Sequence, residues 1–112
     1  MGSHNYIPDK KNHDIFININ GTLLRRNEAK ISVFDSGFLL GDGVWEGIRV
    51  HESKLVFIDE HLNRLFNSAK GISLNIKLSK AQIIQQIYKV LNINNMVDDI
   101  HIRLIITRGD KI

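Results

Sequence analysis

Hydrophobic and polar positions alternate in the first part of the chain in the way that predicts a β-hairpin. Isoleucine occupies every second position over residues 15–19, a period of two that is typical of a strand. Asn20-Gly21 follows, and this pair is a strong signal for a tight turn. We therefore expect residues 23–25 to return as the partner strand.

Three more segments have strand character. Residues 44–51 form the first, residues 55–58 follow after a turn at residues 52–54, and residues 100–107 form the last. Residues 31–43 lie before them and contain short apolar runs interrupted by Asp35, Asp42 and three glycines. This composition predicts a loop whose backbone bends sharply or approaches a ligand closely.

Two segments have the three-to-four-residue spacing of amphipathic helices. Asp59 is the expected N-cap of the first and Gly71 its stop, with an apolar face formed by Leu62, Leu65, Phe66 and Ala69. Ser79 and Gln82 have the spacing of a capping box for the second, whose buried face would comprise Ile83, Ile84, Ile87, Val90 and Leu91. The order of elements predicts an α+β lobe with a largely antiparallel sheet and two helices.

The length of 112 residues supports one domain. Residues 1–13 are mostly polar, and we expect a flexible lead-in there, followed by the domain over residues 14–112.

Composition narrows the classes of function. The absence of cysteine excludes disulfides and thiol nucleophiles. The net charge of +3 comes from basic residues that are scattered along the chain, so nucleic-acid binding is not indicated. No segment has the length or apolarity of a membrane span or an export signal, and we expect a cytoplasmic protein that does not bind membranes.

Few residues indicate chemistry by their type and spacing alone. The five histidines do not have metal-ligand spacing, and we expect no metal site. Asp35 and Asp42 are interpreted as turn caps, and Gly41-Asp42-Gly43 as a structural bend, because a strand rather than a helix follows it. Arg64 is either a solvated arginine or an anion ligand, since a guanidinium fork suits a phosphate. Arg103, inside an apolar strand, predicts either an internal ion pair or a ligand contact.

Three blocks of sequence together resemble one enzyme family. They are ISVFDSGFLLGDGVWEGIR over residues 31–49, DEHLNRLFNSAK over residues 59–70 and IRLIITRG over residues 102–109. In this order they closely resemble the N-terminal domain of class IV (fold-type IV) pyridoxal-phosphate-dependent aminotransferases. The first block is most similar to the branched-chain amino acid subgroup, and parts of the first and third are also similar to the D-amino acid and aminodeoxychorismate lyase subgroups.

The resemblance implies roles for five residues. Arg64 matches the arginine that binds the phosphate of pyridoxal 5′-phosphate. Trp45 matches an aromatic position lining the substrate pocket, although core packing is the alternative. Leu40 stands where branched-chain enzymes commonly have a tyrosine, and His101 and Arg103 match a region that contributes substrate contacts in some members.

The resemblance also implies the reaction, which is transfer of an amino group between an amino acid and a 2-oxo acid in a homodimeric enzyme. The family's lysine that binds the cofactor covalently belongs to a second domain, which this sequence does not include. We therefore expect no catalytic residue within residues 1–112 and no transamination by this chain alone. The alternative is a non-catalytic assembly lobe that functions with a partner chain.

Overall fold

Two antiparallel sheets and three α-helices make up residues 10–111, the part of the chain that the computed structural model describes. Residues 1–9 of the predicted lead-in lie outside this part, and Lys10–Asn12 form a short 3-10 turn. In chain order the elements are β1 (Phe16–Ile19), β2 (Thr22–Arg25), α1 (Ser36–Leu40), β3 (Gly43–His51), β4 (Lys54–Leu55), α2 (Ile58–Gly71), α3 (Lys80–Ile93) and β5 (Ile100–Thr107).

The hairpin of β1 and β2 confirms the prediction from the Asn20-Gly21 turn. Both turn residues have positive φ angles, 54° for Asn20 and 88° for Gly21, as a two-residue hairpin turn of type I′ requires. The hairpin is attached to α3 and its C-terminal end by side chains. Asn94, for example, accepts a hydrogen bond from the Phe16 backbone nitrogen at 2.8 Å and donates one to the Phe16 carbonyl oxygen at 2.9 Å.

The second sheet has the strand order β4-β3-β5, with β3 antiparallel to both neighbours. Its two faces differ because side chains alternate along a strand. Even-numbered positions of β3 are buried on the face that packs against α2, and Trp45 and Arg49 lie on the outer face and are exposed. The buried hydrophobic core comprises Val44, Ile48, Val50, Leu55, Leu62, Leu65, Ala69, Ile83, Ile87 and Leu91.

The two predicted long helices are present, but one predicted start is wrong. Ser79 and Gln82 form the predicted capping box of α3. The chain turns into α2 at Phe57, which has a left-handed backbone conformation and no side-chain cap, so Asp59 is not the N-cap and lies within the first turn. A carboxylate in the first turn still interacts favourably with the positive end of the helix dipole. The preceding strand, Lys54–Leu55, is shorter than predicted because Phe57 already leaves the extended conformation and Ile58 belongs to α2.

The segment predicted to be a loop contains a third, short helix, α1, in addition to the two predicted helices. Asp35 caps α1 by accepting hydrogen bonds from the backbone nitrogens of Gly37 and Phe38 at 3.0 and 3.1 Å. Gly41 ends the helix with a left-handed φ of 67°, which confirms a bend at the glycine pair. Five residues are too few to produce a recognisable helical period, so only these caps indicate the helix.

None of the helices within residues 10–111 has both the length and the apolar composition required to span a bilayer.

Candidate functional site

Arg64 lies on α2 and is held by a carboxylate from the neighbouring strand β3. Its Nε donates to Oε2 of Glu46 at 2.9 Å, and its Nη2 donates to Oε1 at 2.7 Å. This is a two-point contact between a guanidinium fork and a carboxylate. The Glu46 side chain is 5% exposed and that of Arg64 is 67% exposed, so one end of the pair is anchored in the fold and the other faces solvent.

His61, one helical turn before Arg64, contacts the same carboxylate. Its Nδ1 lies 2.6 Å from Oε1 of Glu46. Because a carboxylate only accepts hydrogen bonds, Nδ1 is the donor in this contact. The 3.4 Å approach of Arg64 Nη2 to the same Nδ1 then joins two donors and is a proximity rather than a hydrogen bond.

The hydrogen bonds to Glu46 keep it ionised although it is buried. The hydrogen bond from Arg64 is the main cause that lowers the pKa of Glu46 to about 2; burial opposes the shift, and the hydrogen bond from His61 adds to it. The same hydrogen bond raises the pKa of Arg64. The site therefore contains a buried carboxylate and a guanidinium that both stay charged at neutral pH.

Trp45 and Arg103 lie together on the outer face of the sheet. The Arg103 guanidinium carbon is 4.5 Å from the centroid of the Trp45 ring, which is a cation-π distance. The two residues are diagonal neighbours, since Trp45 pairs with Ile105 and Arg103 pairs with Gly47. Trp45 is 59% exposed, which does not fit the alternative that it packs in the core.

Arg103 is also exposed rather than buried, and among residues 10–111 it forms no ion pair. The internal ion pair, one of the two alternatives for Arg103, is therefore not found, because the odd-numbered positions 101, 103 and 105 of β5 face outwards. His101 lies on the same exposed face, two positions before Arg103 and paired in register with Arg49. This face thus places an aromatic ring beside several basic side chains.

Leu40 is the last residue of α1 and is 61% exposed. The position of this helix depends on Asp35, whose Oδ1 accepts a hydrogen bond from the Thr107 hydroxyl of β5 at 2.7 Å. Gly37 makes the approach possible, because a Cβ atom at this position would lie 2.3 Å from the Thr107 methyl carbon. Leu40 and its neighbours Phe38 and Leu39 are exposed on this helix, which is attached to β5 by the hydrogen bond between Asp35 and Thr107.

Asp42 does not cap a turn as predicted. Its carboxylate pairs with Arg108, with 2.7 Å between Oδ2 and Nε, and the Arg108 hydrogen bond lowers the pKa of Asp42. This pair connects the segment after α1 to the end of β5. It also lies beside an open cavity of about 280 Å³ that includes Ser36 but none of the predicted site residues.

The structure separates four of the five predicted site residues into two groups, and the fifth, Leu40, lies at the end of α1. Arg64 lies on the helix-covered side of the sheet with Glu46, whereas Trp45, His101 and Arg103 share the outer face. Sequence reasoning missed Glu46. Its signal was available, because Glu46 falls in the same alternating register as Val44, Ile48 and Val50, and a carboxylate at a buried strand position requires a partner.

Comparison with protein-family models shows which family the chain belongs to. The model described as amino-transferase class IV matches residues 43–111, which is more than half of the chain. The chain belongs to the class IV amino-transferase family. The matched segment includes Trp45, Glu46, Arg64, His101 and Arg103, and Leu40 precedes it.

Curated relatives of this class IV chain include enzymes named for two types of substrate. A Methanocaldococcus jannaschii relative, provisionally named a branched-chain-amino-acid aminotransferase, is 43% identical over 93 residues, which cover 83% of this chain and 32% of the relative. The D-alanine aminotransferase of Bacillus licheniformis is 37% identical over 90 residues, which cover 80% of this chain and 31% of that enzyme. The chain therefore spans about a third of the length of these relatives.

Solved structures confirm the fold. The branched-chain amino acid aminotransferase from Escherichia coli superposes with a TM-score of 0.79 and 30% identity, over 87% of this chain and 34% of the enzyme. Another branched-chain amino acid aminotransferase, solved with pyridoxamine 5′-phosphate, gives a TM-score of 0.74 and 28% identity, over 88% of this chain and 33% of the enzyme. The expected α+β fold of this family's N-terminal domain is thus confirmed.

Proposed function

We propose that this chain is the N-terminal part of a pyridoxal-phosphate-dependent aminotransferase that exchanges an amino group between a branched-chain amino acid and a 2-oxo acid. The observation that carries the proposal is the oriented guanidinium of Arg64, which lies within the segment matched by the family model. An arginine held in this way presents a fixed positive charge to a phosphate.

The donors of Arg64 fit a cofactor phosphate. Glu46 uses Nε and one N–H of Nη2, which leaves the second N–H of Nη2 and both N–H groups of Nη1 as potential donors. Arg64 is largely exposed, so these donors can reach a ligand. Bound pyridoxal 5′-phosphate would supply the electron-withdrawing ring that amino-group exchange needs, and Arg64 would anchor its phosphate.

The outer face of the sheet has the composition of a substrate-binding wall. Trp45 on this face and Leu40 at the end of α1 offer exposed apolar surface for a branched side chain. Arg103 and His101, on the same face as Trp45, could receive a carboxylate of the amino acid or of the 2-oxo acid. We assign these four residues to substrate contact in the complete enzyme.

We also propose that the complete enzyme is a cytoplasmic homodimer, and the exposed apolar residues support the dimer. Phe38, Leu40, Trp45 and Ile105 are each about 60% exposed or more, which is unusual for large apolar side chains and typical of surfaces covered in an assembly. Residues 1–112 by themselves would bind and position ligands without performing transamination, because the lysine that binds the cofactor belongs to the family's second domain.

The phosphate assignment can be tested by titrating the 112-residue chain with pyridoxal 5′-phosphate and following the phosphate by ³¹P NMR. We expect Arg64→Ala to weaken the affinity by about tenfold, as loss of a charge-assisted hydrogen bond predicts. Lys70→Ala removes a positive charge from the same helix and should change the affinity by less than about twofold. Equal affinities of the wild type and Arg64→Ala would remove Arg64 from the cofactor site.

Transfer of the amino group of a D-amino acid to a 2-oxo acid is the second candidate, favoured by the identity of 37% to the D-alanine aminotransferase. The two candidates differ in stereochemistry, so rates for L-leucine and D-alanine in the intact enzyme containing residues 1–112 distinguish them. A higher rate for D-alanine would replace the branched-chain proposal. The 112-residue chain, assayed in parallel with added cofactor, is expected to give no product with either amino acid.

A further inference from the structure

We propose that Glu46 is a positioning residue that fixes the Arg64 guanidinium so that its remaining donors face a phosphate. This inference rests on the proposed function, in which Arg64 binds the cofactor phosphate. It assigns a role to the buried carboxylate on β3, which would affect phosphate binding only by holding Arg64.

The first argument is the difference in mobility expected for the two side chains. Arginine is long and flexible, and an exposed arginine samples many rotamers. Glu46 is nearly buried and lies on β3, the central strand of its sheet. A two-point contact to such an anchor determines both the position of the guanidinium and the orientation of its plane.

The second argument is that Glu46 is itself held in place. Its Oε1 accepts from both His61 and Arg64, and its Oε2 accepts from Arg64. His61 and Arg64 come from consecutive turns of α2, so the carboxylate connects that helix to the strand. A rotation of Glu46 would break contacts to both side chains, and the buried charge would lose its partners.

The third argument concerns charge, because a carboxylate beside a phosphate site is unfavourable in purely Coulombic terms. Glu46 stays ionised at neutral pH and would repel a phosphate held by the same guanidinium. Electrostatics alone therefore predicts that Glu46→Gln increases phosphate affinity. Positioning predicts a decrease, since the NH₂ group of glutamine would face a donor of Arg64 or His61 and break the two-point contact.

The test uses the sign of this effect. Pyridoxal 5′-phosphate and inorganic phosphate are titrated separately into the 112-residue chain and into its Glu46→Gln variant, with the Arg64 Nε–H signal followed by ¹⁵N NMR. We expect about tenfold weaker binding of both ligands by Glu46→Gln, and faster solvent exchange of the Arg64 Nε–H proton. Glu28→Gln is the matched control, because it makes the same chemical change at an exposed loop position and should alter neither readout.

Glu46→Asp supplies a second variant in case Glu46→Gln does not fold. It keeps the negative charge and shortens the side chain, so weaker phosphate binding by this variant supports positioning. Unchanged or tighter binding by the folded Glu46 variants would overturn the inference, provided that Arg64→Ala weakens binding. If Arg64→Ala binds phosphate as well as the wild type, the proposed function of Arg64 fails, and the inference built on it is overturned as well.

Discussion

Arg103 and Trp45 contact each other across neighbouring antiparallel strands, with the guanidinium carbon 4.5 Å from the ring centroid. The register places Gly47 directly opposite Arg103, so no side chain from the partner position fills the space beside the indole ring. The contact leaves a charged group and an apolar ring exposed on one face. Such a pair could bind either a carboxylate or an apolar side chain of a substrate.

Replacing Arg103 by leucine tests the carboxylate half of this pair. In the intact enzyme, we expect Arg103→Leu to lower kcat/KM for an acidic amino acid by about tenfold or more, because a charge-assisted hydrogen bond to its side-chain carboxylate, which leucine lacks, is lost. The value for leucine should change much less. Arg25→Leu, an exposed arginine on the hairpin, is the control. An equal loss for both substrates would mean that Arg103 contacts the α-carboxylate that they share, and no loss for either would remove Arg103 from the substrate site.

Replacing Trp45 separates a role in substrate binding from a role in packing. Because Trp45 is 59% exposed, Trp45→Ala should lower the melting temperature only slightly while changing the order of preference among amino acid substrates. Ile48→Ala provides the contrast on the same strand, since Ile48 is fully buried and its truncation should cost about 3 kcal/mol. Chemical denaturation measures the unfolding free energy of both variants. A loss of stability for Trp45→Ala comparable to that of Ile48→Ala would return Trp45 to the core.

Replacing two aspartates by alanine tests which of them caps a helix, Asp35 at α1 or Asp59 at α2. Asp35→Ala removes the acceptor of two backbone N–H groups of α1 and of the Thr107 hydroxyl, and we expect a loss of about 1 to 2 kcal/mol in unfolding free energy. Asp59→Ala, at the position that the sequence favours as a cap, should cost no more than a few tenths of a kcal/mol. The reverse order in urea unfolding would mean that Asp59 caps α2 and contributes more to stability than the Asp35 cap of α1.

The sequence predicts elements well where the signal lies in neighbouring residues. The alternation in β3 and β5, the Asn20-Gly21 turn and the Ser79–Gln82 capping box are local signals, and the structure contains each of them. α1 has no such pattern and depends on a contact between Asp35 and Thr107, which are 72 positions apart. Long-range contacts of this kind are not visible in local periodicity.

The candidate site shows the same division. Arg64 and Trp45 are found by motif resemblance, whereas the pairing of Arg64 with Glu46 depends on how α2 crosses β3. Sequence can indicate that a buried glutamate needs a partner, but several basic residues qualify. Tertiary packing selects Arg64 and His61 from among them.

The depressed pKa of Glu46 predicts how stability depends on pH. The hydrogen bond from Arg64 lowers this pKa from 4.5 to about 2 in the folded chain, so the folded state binds the proton less tightly than the unfolded state does. The contribution of ionised Glu46 to the unfolding free energy is therefore fully present above about pH 4.5. It should be lost progressively as the pH falls from about 4.5 to 2.

Urea unfolding of the wild type and of Glu46→Gln, measured at intervals from pH 7 to pH 2, isolates this contribution. The hydrogen bond from Arg108 lowers the pKa of Asp42 as well, so the informative quantity is the difference between the two proteins. That difference should favour the wild type at pH 7 and shrink between pH 4.5 and 2. A difference that stays constant over this range would mean that Glu46 has the same pKa in both states, and the ion pair with Arg64 would then add nothing to stability.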